Sequence, residues 1–576
     1  MRVRSAGIRD EGPAVRISYE GRPVEARQGD TLASALTDSG DRACRTTRLG
    51  DPRGVFCGMG VCNECTLVVD GEPSTLACMT PVREGMDVRL QPPARLLEAT
   101  PRPELPEQEL TPDVLVLGGG PAGLAAATAA ARCGLDVVLL DERGKLGGQY
   151  YKQPSEQFAL DEERLDTQYR QGRALVRRAE QAGVTVLKGV RVWAAFRPDH
   201  LLAAGTQSRW TLRPRRLVLA TGAYERGVPM PGWTLPGVLT TGAAQTLLRG
   251  NQVSPGTRVL VSGNGPLNMQ VAAELVRAGV RVVALAELAD LRRVSGARAG
   301  LTMLRSAPDL VRDGAGYAAQ LARARVPVLS RTAVVRVDGD EAVQRATVAR
   351  IDAQGRPVPG TERSFEVDAV CVGFGFLPSN EIARSLGCRH SHDEALGSLT
   401  VEHTPDGRTS VDGVWVVGDS AGVAGARVAG AVGVLAGAAV AADLGRPLPP
   451  GLAREVQAAD RLRRRNLRFQ TALARVYAAP LLVDQLAEPE TVVCRCESLS
   501  LRDISADLGA STGSAGALKR VTRAGMGKCQ GRYCAPVVTA LVARRSGRPV
   551  DEFAGFAPQV PYKPTEISLV ADPAQP

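Results

Sequence analysis

Aromatic residues make up only 4% of the 576 residues, and there are four histidines. So little His leaves scant material for imidazole-centred acid–base catalysis. Lysine is scarce too: only six of the 71 cationic residues are Lys, so the net charge of +10 is almost entirely arginine. No cysteine lies between Cys133 and Cys371, which excludes a redox-active CxxC dithiol in the middle of the chain. The N-terminus, Met-Arg-Val-Arg followed by polar residues, has no apolar signal core. One long apolar run exists, Val423 to Ala442, but it is built of small residues and contains Arg427. It reads as a buried core helix and not as a transmembrane span. The densest basic run, Arg461 to Arg465, falls in a helix-like stretch from Leu452 to Tyr477 and has no recognition motif beside it. A solvated helix face or a contact with an acidic partner fits it better than nucleic acid. These absences point to a cytoplasmic chain.

What is present is cysteine in two bunches, with a nucleotide fingerprint between them. A chain of this length holds several domains. Near the N-terminus stand Cys57-x4-Cys62-x2-Cys65 and Cys78. Val15 to Tyr19 and Val24 to Ala26 alternate around Glu20-Gly21, a hairpin signal. Thr31 to Leu36 reads as a short capped helix. Thr66 to Val69 followed by Asp70-Gly71 reads as a strand and turn that returns the chain to Cys78. Three thiolates in one loop and a fourth after a hairpin is the plant-type [2Fe–2S] arrangement. Zinc prefers paired knuckles, so it fits this spacing poorly. Cys44 lies outside the pattern. The glycines Gly58 and Gly60 let the loop curl so that amides face the sulfurs, which helps set a cluster potential. Near the C-terminus, Cys494-Arg-Cys496 and Cys529-x4-Cys534 flank a segment of short helices, with Met526-Gly527 and Gly531 leaving room for backbone. They are read as ligands of a second [2Fe–2S] cluster, with tetrahedral zinc as the alternative. The clustered spacing suits a reducing compartment.

In the middle, the strand Asp113 to Leu117 runs into Gly118, Gly119, Gly120, Pro121, Ala122 and Gly123, followed by an Ala-rich helix. The first glycines give a tight turn and close approach to a pyrophosphate, and the third lets helix pack on strand. A second strand, Val137 to Leu140, ends at Asp141-Glu142 ahead of Gly147-Gly148-Gln149. An acid here accepts hydrogen bonds from an adenosine ribose. Spacing from the fingerprint favours Asp141, and spacing back from Gly148 and Gln149 favours Glu142. A second unit follows: the strand Val259 to Ser262, then Gly263-Asn264-Gly265-Pro266-Leu267-Asn268, then a strand ending near Glu287. A carboxylate there favours NAD over NADP, but Asn268 replaces the third glycine. Cys371 and Cys388 are isolated and read as structural. His390-Ser-His392 reads as a polar loop in preference to a metal pair. No residue is assigned a catalytic role.

Three resemblances build on these motifs. Ala220-Thr221-Gly222, after the strand from Leu217, and Gly418-Asp419, after Val414 to Val417, resemble the strand-to-turn and Gly-Asp elements of two-dinucleotide flavoproteins. That resemblance implies FAD at the first fingerprint, and NAD(H), another adenine nucleotide or nothing at the second. The N-terminal loop, with Ala77-Cys78-Met-Thr-Pro-Val-Arg, resembles the small ferredoxin domain of dye-linked amino-acid dehydrogenases. The C-terminal pairs resemble bacterioferritin-associated ferredoxins, whose second pair is normally CxxC. Together they make the chain similar to the α-type subunits of hydrogen cyanide synthase, opine oxidase, proline or hydroxyproline dehydrogenase and the N-terminal half of sarcosine oxidase α, with the ferredoxin piece fused.

The implied architecture is α/β. A β-grasp [2Fe–2S] domain spans 1–92 and a Pro/Glu linker 93–111. An FAD/NAD(P)-binding module spans 112–445, with a nucleotide-binding insertion at about 225–364. A helical connector covers 446–489, the second [2Fe–2S] domain 490–550, and a tail 551–576, in which Val560 to Thr565 forms a strap. The implied activity is electron transfer: a partner flavoprotein of the amino-acid-oxidase type oxidises a C–N bond, and electrons leave through this chain to a quinone, dye or soluble carrier. The alternative is a stand-alone NAD(P)H-dependent FAD/[2Fe–2S] reductase. An iron-handling binding module would leave the fingerprint unexplained.

Overall fold

The computed structural model describes residues 1–9, 12–93, 105–291, 296–509 and 513–570. At the N-terminus, the alternation along Ala14–Tyr19 and Arg22–Arg27 buries Val15, Ile17, Val24 and Ala26. The two strands pair antiparallel around Glu20-Gly21. They form the edge of a five-stranded sheet in the order Arg22–Arg27, Ala14–Tyr19, Asp87–Leu90, Thr66–Val69, Glu72–Leu76. The helix Leu32–Ser39 covers it, started by a capping box between Thr31 and Ser34 and stopped by Gly40 in the left-handed region. This is a β-grasp domain.

The middle of the chain carries two parallel sheets, one nested in the other. The first has the order Thr185–Lys188, Val137–Asp141, Val114–Leu117, Arg216–Leu219, Val414–Val416. Its central strands are apolar on both faces, as a sheet covered on both sides requires. The second has the order Val238–Thr240, Ala369–Gly373, Arg258–Gly263, Arg281–Glu287, Val328–Ser330. Its strand Ala369–Gly373 lies beyond the boundary expected near residue 364. A short antiparallel pair, Ala223–Glu225 with Phe376–Pro378, joins the two units.

The apolar run forms the helix Ala426–Asp443, long and apolar enough by length and composition to cross a bilayer. Here it is a core helix lying on Pro121–Ala131. A Cβ at Gly433 or Gly437 would stand 2.2 or 2.3 Å from the carbonyls of Ala122 and Ala126, so only glycine permits this approach. The connector is a single helix, Pro450–Val476. Within its basic run, Arg463 and Arg464 pair with Asp460. The C-terminal unit is a small strand pair, Val492–Cys494 with Leu499–Ser500, and the helices Leu501–Ala506, Ala515–Thr522 and Ala535–Ser546.

Two loop expectations are corrected. Within the 93–111 stretch, Glu107–Leu110 is a strand pairing parallel with Arg209–Leu212. Its charges are answered by Arg209 on Glu107 and Arg213 on Glu109, both at 2.9 Å. Pro101 and Pro103 lie outside the described residues. His390–Asp393 is a strand in a hairpin with Ser398–Val401, and His390 is buried with Nδ1 at 2.6 Å from the Cys388 carbonyl.

Candidate functional site

The first fingerprint forms a cradle, a turn into which backbone and side chains pack closely, with side chains such as Leu146 and Asp141 standing against Gly119. Gly118 has φ +111°, and a Cβ there would lie 2.3 Å from the Ala220 carbonyl. At Gly123 a Cβ would fall 1.9 Å from the Gly118 carbonyl, so glycine lets helix and strand meet. Gly120 differs: the nearest atom to its absent Cβ is Gly148 Cα at 3.8 Å, so a side chain would project into the cradle itself. Helix Pro121–Ala131 starts at Gly120 with no capping side chain, and Ala426–Asp443 starts likewise at Gly425. Both leave N–H groups free to receive an anion. This chemistry fits a dinucleotide pyrophosphate.

The acids divide the work. Asp141 accepts from the Gly119 amide at 2.7 Å and the Arg143 amide at 2.8 Å, and burial raises its pKa above the usual carboxylate range. Glu142 is partly exposed and ion-paired with Lys563 of the tail. Burial alone would raise the Glu142 pKa, but Lys563 brings it below its usual value. Asp141 is thus held by the amides of its own loop, and Glu142 by Lys563 of the tail. Thr221 donates to the Ser379 carbonyl at 2.6 Å, and Gly222 has φ +71° with no atom near its missing Cβ. Gly418, also at φ +71°, packs against Ala122, and burial raises the pKa of Asp419, which takes the Ala424 amide at 3.3 Å. Gln149 stands beside the Arg143 guanidinium.

The second fingerprint is tied to protein at its acid, at Asn264 Nδ2 and at Asn268, while Asn264 Oδ1 has no partner among the described residues and helix Pro266–Arg277 starts without a capping side chain. Glu287 is fully buried and accepts from Gly265 at 3.3 Å and Ala289 at 3.0 Å; burial pushes its carboxyl up to about 8. Asn264 donates to the carbonyl of Tyr477, at the end of the connector helix, at 3.1 Å. Asn268, in the third glycine position, is a strut: its Nδ2 donates to Gly373 at 2.9 Å and its Oδ1 accepts from Thr241 at 2.8 Å. A Cβ on Gly263 would stand 1.9 Å from the Gly373 carbonyl.

Within each set the cysteines lie near one another. Cys57 lies against Cys62 and Cys78, and Cys78 against Cys65. The Cys62 amide points at Cys57 Sγ and the Glu64 amide at Cys62 Sγ, both at 3.4 Å. Gly58 and Gly60, at φ +62° and +75°, produce that curl. At the other end Cys494 lies against Cys534 and Cys496 against Cys529, with the Cys529 amide 3.4 Å from Cys496 Sγ. A Cβ at Gly527 would sit 2.4 Å from Cys496 Cβ. Four soft donors with amide hydrogen bonds and no other ligand type fit an iron–sulfur centre at each site. Cys44 is buried in the β-grasp core, in the same apolar cluster as Cys65 of the loop.

Sequence reasoning missed three features. Lys152, three residues after Gln149, is buried and donates to the Gly242 carbonyl at 2.8 Å and Gln245 Oε1 at 3.1 Å. Glu225 accepts from the Gly242 amide at 3.0 and 2.9 Å. Burial draws both groups to about 7, Lys152 from above and Glu225 from below. The scarcity of Lys was the one available signal. The third is a cavity of about 290 Å3 between the flavin module and the C-terminal unit, lined by Tyr224, Pro378, Arg384, His392, Gln530 and Phe556 among others. No local pattern announces it.

Comparison with known proteins follows the same division. Residues 112–442 match the pyridine nucleotide-disulphide oxidoreductase family, 12–93 the 2Fe-2S iron-sulfur cluster binding domain, and 488–573 the sarcosine oxidase A3 domain. An opine oxidase subunit of Agrobacterium tumefaciens is 31% identical over 474 residues, 80% of this chain and 91% of that protein. Hydrogen cyanide synthase subunit HcnB of Pseudomonas aeruginosa is 31% identical over 458 residues, 79% of this chain and 97% of that protein. Among solved structures, L-proline dehydrogenase from P. horikoshii superposes with a TM-score of 0.70 at 22% identity, covering 98% of both chains, which establishes a shared fold. The chain is an oxidoreductase with an FAD-binding domain and a 2Fe-2S domain, and it belongs to the pyridine nucleotide-disulphide oxidoreductase family, in the group that includes HcnB and the opine oxidase subunit.

Proposed function

We propose that this chain is the electron-transferring subunit of a heteromeric dye-linked amino-acid dehydrogenase. FAD would sit on Gly118, Gly120 and Gly123, with Glu142 at the adenosine ribose and Gly418-Asp419 at the ribityl side. Cys57, Cys62, Cys65 and Cys78 would hold one [2Fe–2S] cluster, and Cys494, Cys496, Cys529 and Cys534 a second. Bound there, FAD exchanges one or two electrons and each cluster exchanges one. An amino-acid-oxidase-like partner would oxidise the C–N bond, and a quinone, dye or soluble carrier would receive the electrons. The observation that carries this reading is the open cradle at Gly120 in one fold with two four-thiol sites. The names of the relatives, which are subunits, support a partner.

Iron analysis tests the cluster count. Two [2Fe–2S] centres require ~4 iron and ~4 labile sulfide per chain, and Cys496→Ser should halve both while leaving the N-terminal signal. Stoichiometric zinc in protein purified without added metal would overturn the C-terminal half. Activity tests the partner: the isolated chain should oxidise no amino acid, and co-expression with an amino-acid-oxidase-like flavoprotein should give a stable complex with dye-linked activity.

The second parallel sheet with its Gly263-Asn264-Gly265 turn favours one other reading, the stand-alone reductase. The buried Glu287 and the Asn264–Tyr477 bond weigh against it, because both occupy groups that a nucleotide would use. Anaerobic mixing with NADH discriminates. Bleaching of the flavin with turnover on the order of 10 per second would establish the reductase; slow or absent bleaching keeps the electron-transfer reading.

A further inference from the structure

Each cysteine set is flanked by residues that reach the other set. Asn63, next to Cys62, donates from Nδ2 to the Lys528 carbonyl at 3.3 Å, one residue from Cys529. The covalent path from Cys62 to Cys529 is thus interrupted by a single hydrogen bond. Phe56, next to Cys57, meets Tyr533, next to Cys534, edge to face with ring centroids 5.3 Å apart. Arg495, between Cys494 and Cys496, stacks 3.9 Å from the Phe56 ring centroid and 4.6 Å from that of Trp233. The same guanidinium is 3.7 Å from Glu64 Oε2, in the loop between Cys62 and Cys65, and donates to the Trp233 carbonyl at 2.8 Å. Apart from those with Trp233, these contacts join residues of the N-terminal loop to residues near the far end of the chain. Each involves a near neighbour of a cysteine in one set or both.

The junction is electrostatically unbalanced. Arg45, Arg53 and Arg495 are buried together, with Glu64 the buried carboxylate among them. Asp51 reaches Arg53 from the exposed rim at 3.5 Å. The Nε atoms of all three arginines have no hydrogen-bond acceptor among the described residues. Burying guanidinium charge without compensation is strongly unfavourable. Arg45 is close enough to Cys62 and to Cys496 to interact with both. An anionic four-thiolate iron–sulfur centre on each side would supply the missing counter-charge. Positive charge there stabilises the reduced, more negative form of a centre, and so raises its potential.

We propose that this junction is a direct electron bridge between the two cluster sites, with Asn63 and Arg495 as its positioning residues. The inference rests on the two-cluster reading. One electron leaves the reduced centre at one set and enters the oxidised centre at the other; no bond is made or broken and no proton moves. Arg495 fixes the distance by locking Phe56 and Glu64 to the C-terminal loop, and it sets the potentials by its charge. Asn63 supplies the hydrogen-bonded path.

The test is EPR on the full chain, iron-loaded and reduced with dithionite under argon, together with a potentiometric titration. With both centres reduced, their spins should couple and broaden the signals, and Cys496→Ser should leave one sharp, uncoupled signal. Arg495→Met should lower the potential of both centres by at least tenfold in equilibrium constant, about 59 mV for one electron. Arg495→Lys, which keeps the charge, should stay near wild type. If Arg495→Met fails to load both clusters, Asn63→Ala carries the test: freeze-quench EPR after mixing with substoichiometric reductant should show slower equalisation of the two signals. Uncoupled signals in a chain with two clusters would overturn the bridge alone, as would an unshifted Arg495→Met or an unslowed Asn63→Ala. An iron count of one cluster would overturn the two-cluster reading and the bridge with it.

Discussion

The two fingerprints share a strand–turn–helix plan, an uncapped helix start and a buried acid held by two amides, and they part at the third glycine position and at what the rest of the chain presses against the turn. At Gly118 to Gly123 the turn is held by Asp141, the third position is glycine, and the missing Cβ of Gly120 leaves open space. At Gly263 to Asn268 the space at the absent Cβ of Gly265 is open as well, but Asn264 is bonded to Tyr477 and the third position is Asn268, bonded to Gly373 and Thr241. A glycine pattern therefore specifies a turn that can receive a pyrophosphate. Whether it is free to do so depends on what the rest of the chain presses into it.

This contrast can be broken at four places, in descending order of expected damage. Gly123→Ala drives a methyl into the Gly118 carbonyl, backbone that cannot yield, and should destabilise by about 3 kcal/mol or more. Thermal melting and soluble yield would register it, and a melting point equal to wild type would contradict the packing account. Asn268→Ala removes the acceptor of the buried Thr241 hydroxyl and one of two donors to the Gly373 carbonyl, which keeps the Asn264 amide at 2.8 Å. It should cost about 1–3 kcal/mol with flavin content preserved; simultaneous loss of flavin would mean that the second unit props the first cradle.

Glu287 supplies a pH test. The folded carboxyl keeps its proton up to about pH 8, whereas the unfolded one ionises above its usual 4.5. The stability this proton holds is whole below 4.5 and is lost as pH rises through about 8. Relative to wild type, Glu287→Gln should therefore gain on the order of 1 kcal/mol per pH unit across that window. Denaturant melts at pH 5, 6.5 and 8 would show it, and a pH-independent difference would place the Glu287 ionisation elsewhere. Gly120→Ala should be the mildest for the fold, within about 0.5 kcal/mol, since its φ of −78° suits any residue and the methyl meets no protein atom closer than 3.8 Å. Yet it should abolish flavin absorbance. Retained flavin would show that the pyrophosphate does not pass there.

Much of this was legible because the signals are local. The Thr31 cap, the Val15–Ala26 alternation, the cysteine spacings and the Gly118–Gly123 fingerprint each fit within a short stretch of chain, and each forms as its chemistry dictates. The strand Glu107–Leu110 escaped because Glu-Gln-Glu-Leu has little β propensity; arginines on Arg209–Leu212 and just beyond it, far along the chain, hold it in place. The different surroundings of Asp141 and Glu142 could not be read from spacing, because the Gly119 amide and Lys563 reach them only in the folded chain. The Arg495–Phe56–Glu64 junction had no sequence signal at all, because its partners meet only once the two ends of the chain have folded together.

The nesting of one sheet within the other has a consequence for biosynthesis. The strand Val414–Val416 lies beside Arg216–Leu219 and completes the flavin sheet, but the ribosome makes it 195 residues later. At 5–20 residues per second that interval is roughly 10–40 s, during which Arg216–Leu219 is an unpaired apolar edge. The inserted unit is a self-contained five-stranded sheet that can fold during the wait and bring the two ends of its segment together. It thereby shortens the loop that the last strand must close. On the emerging chain the second unit serves as a scaffold, whatever its fingerprint binds in the finished protein.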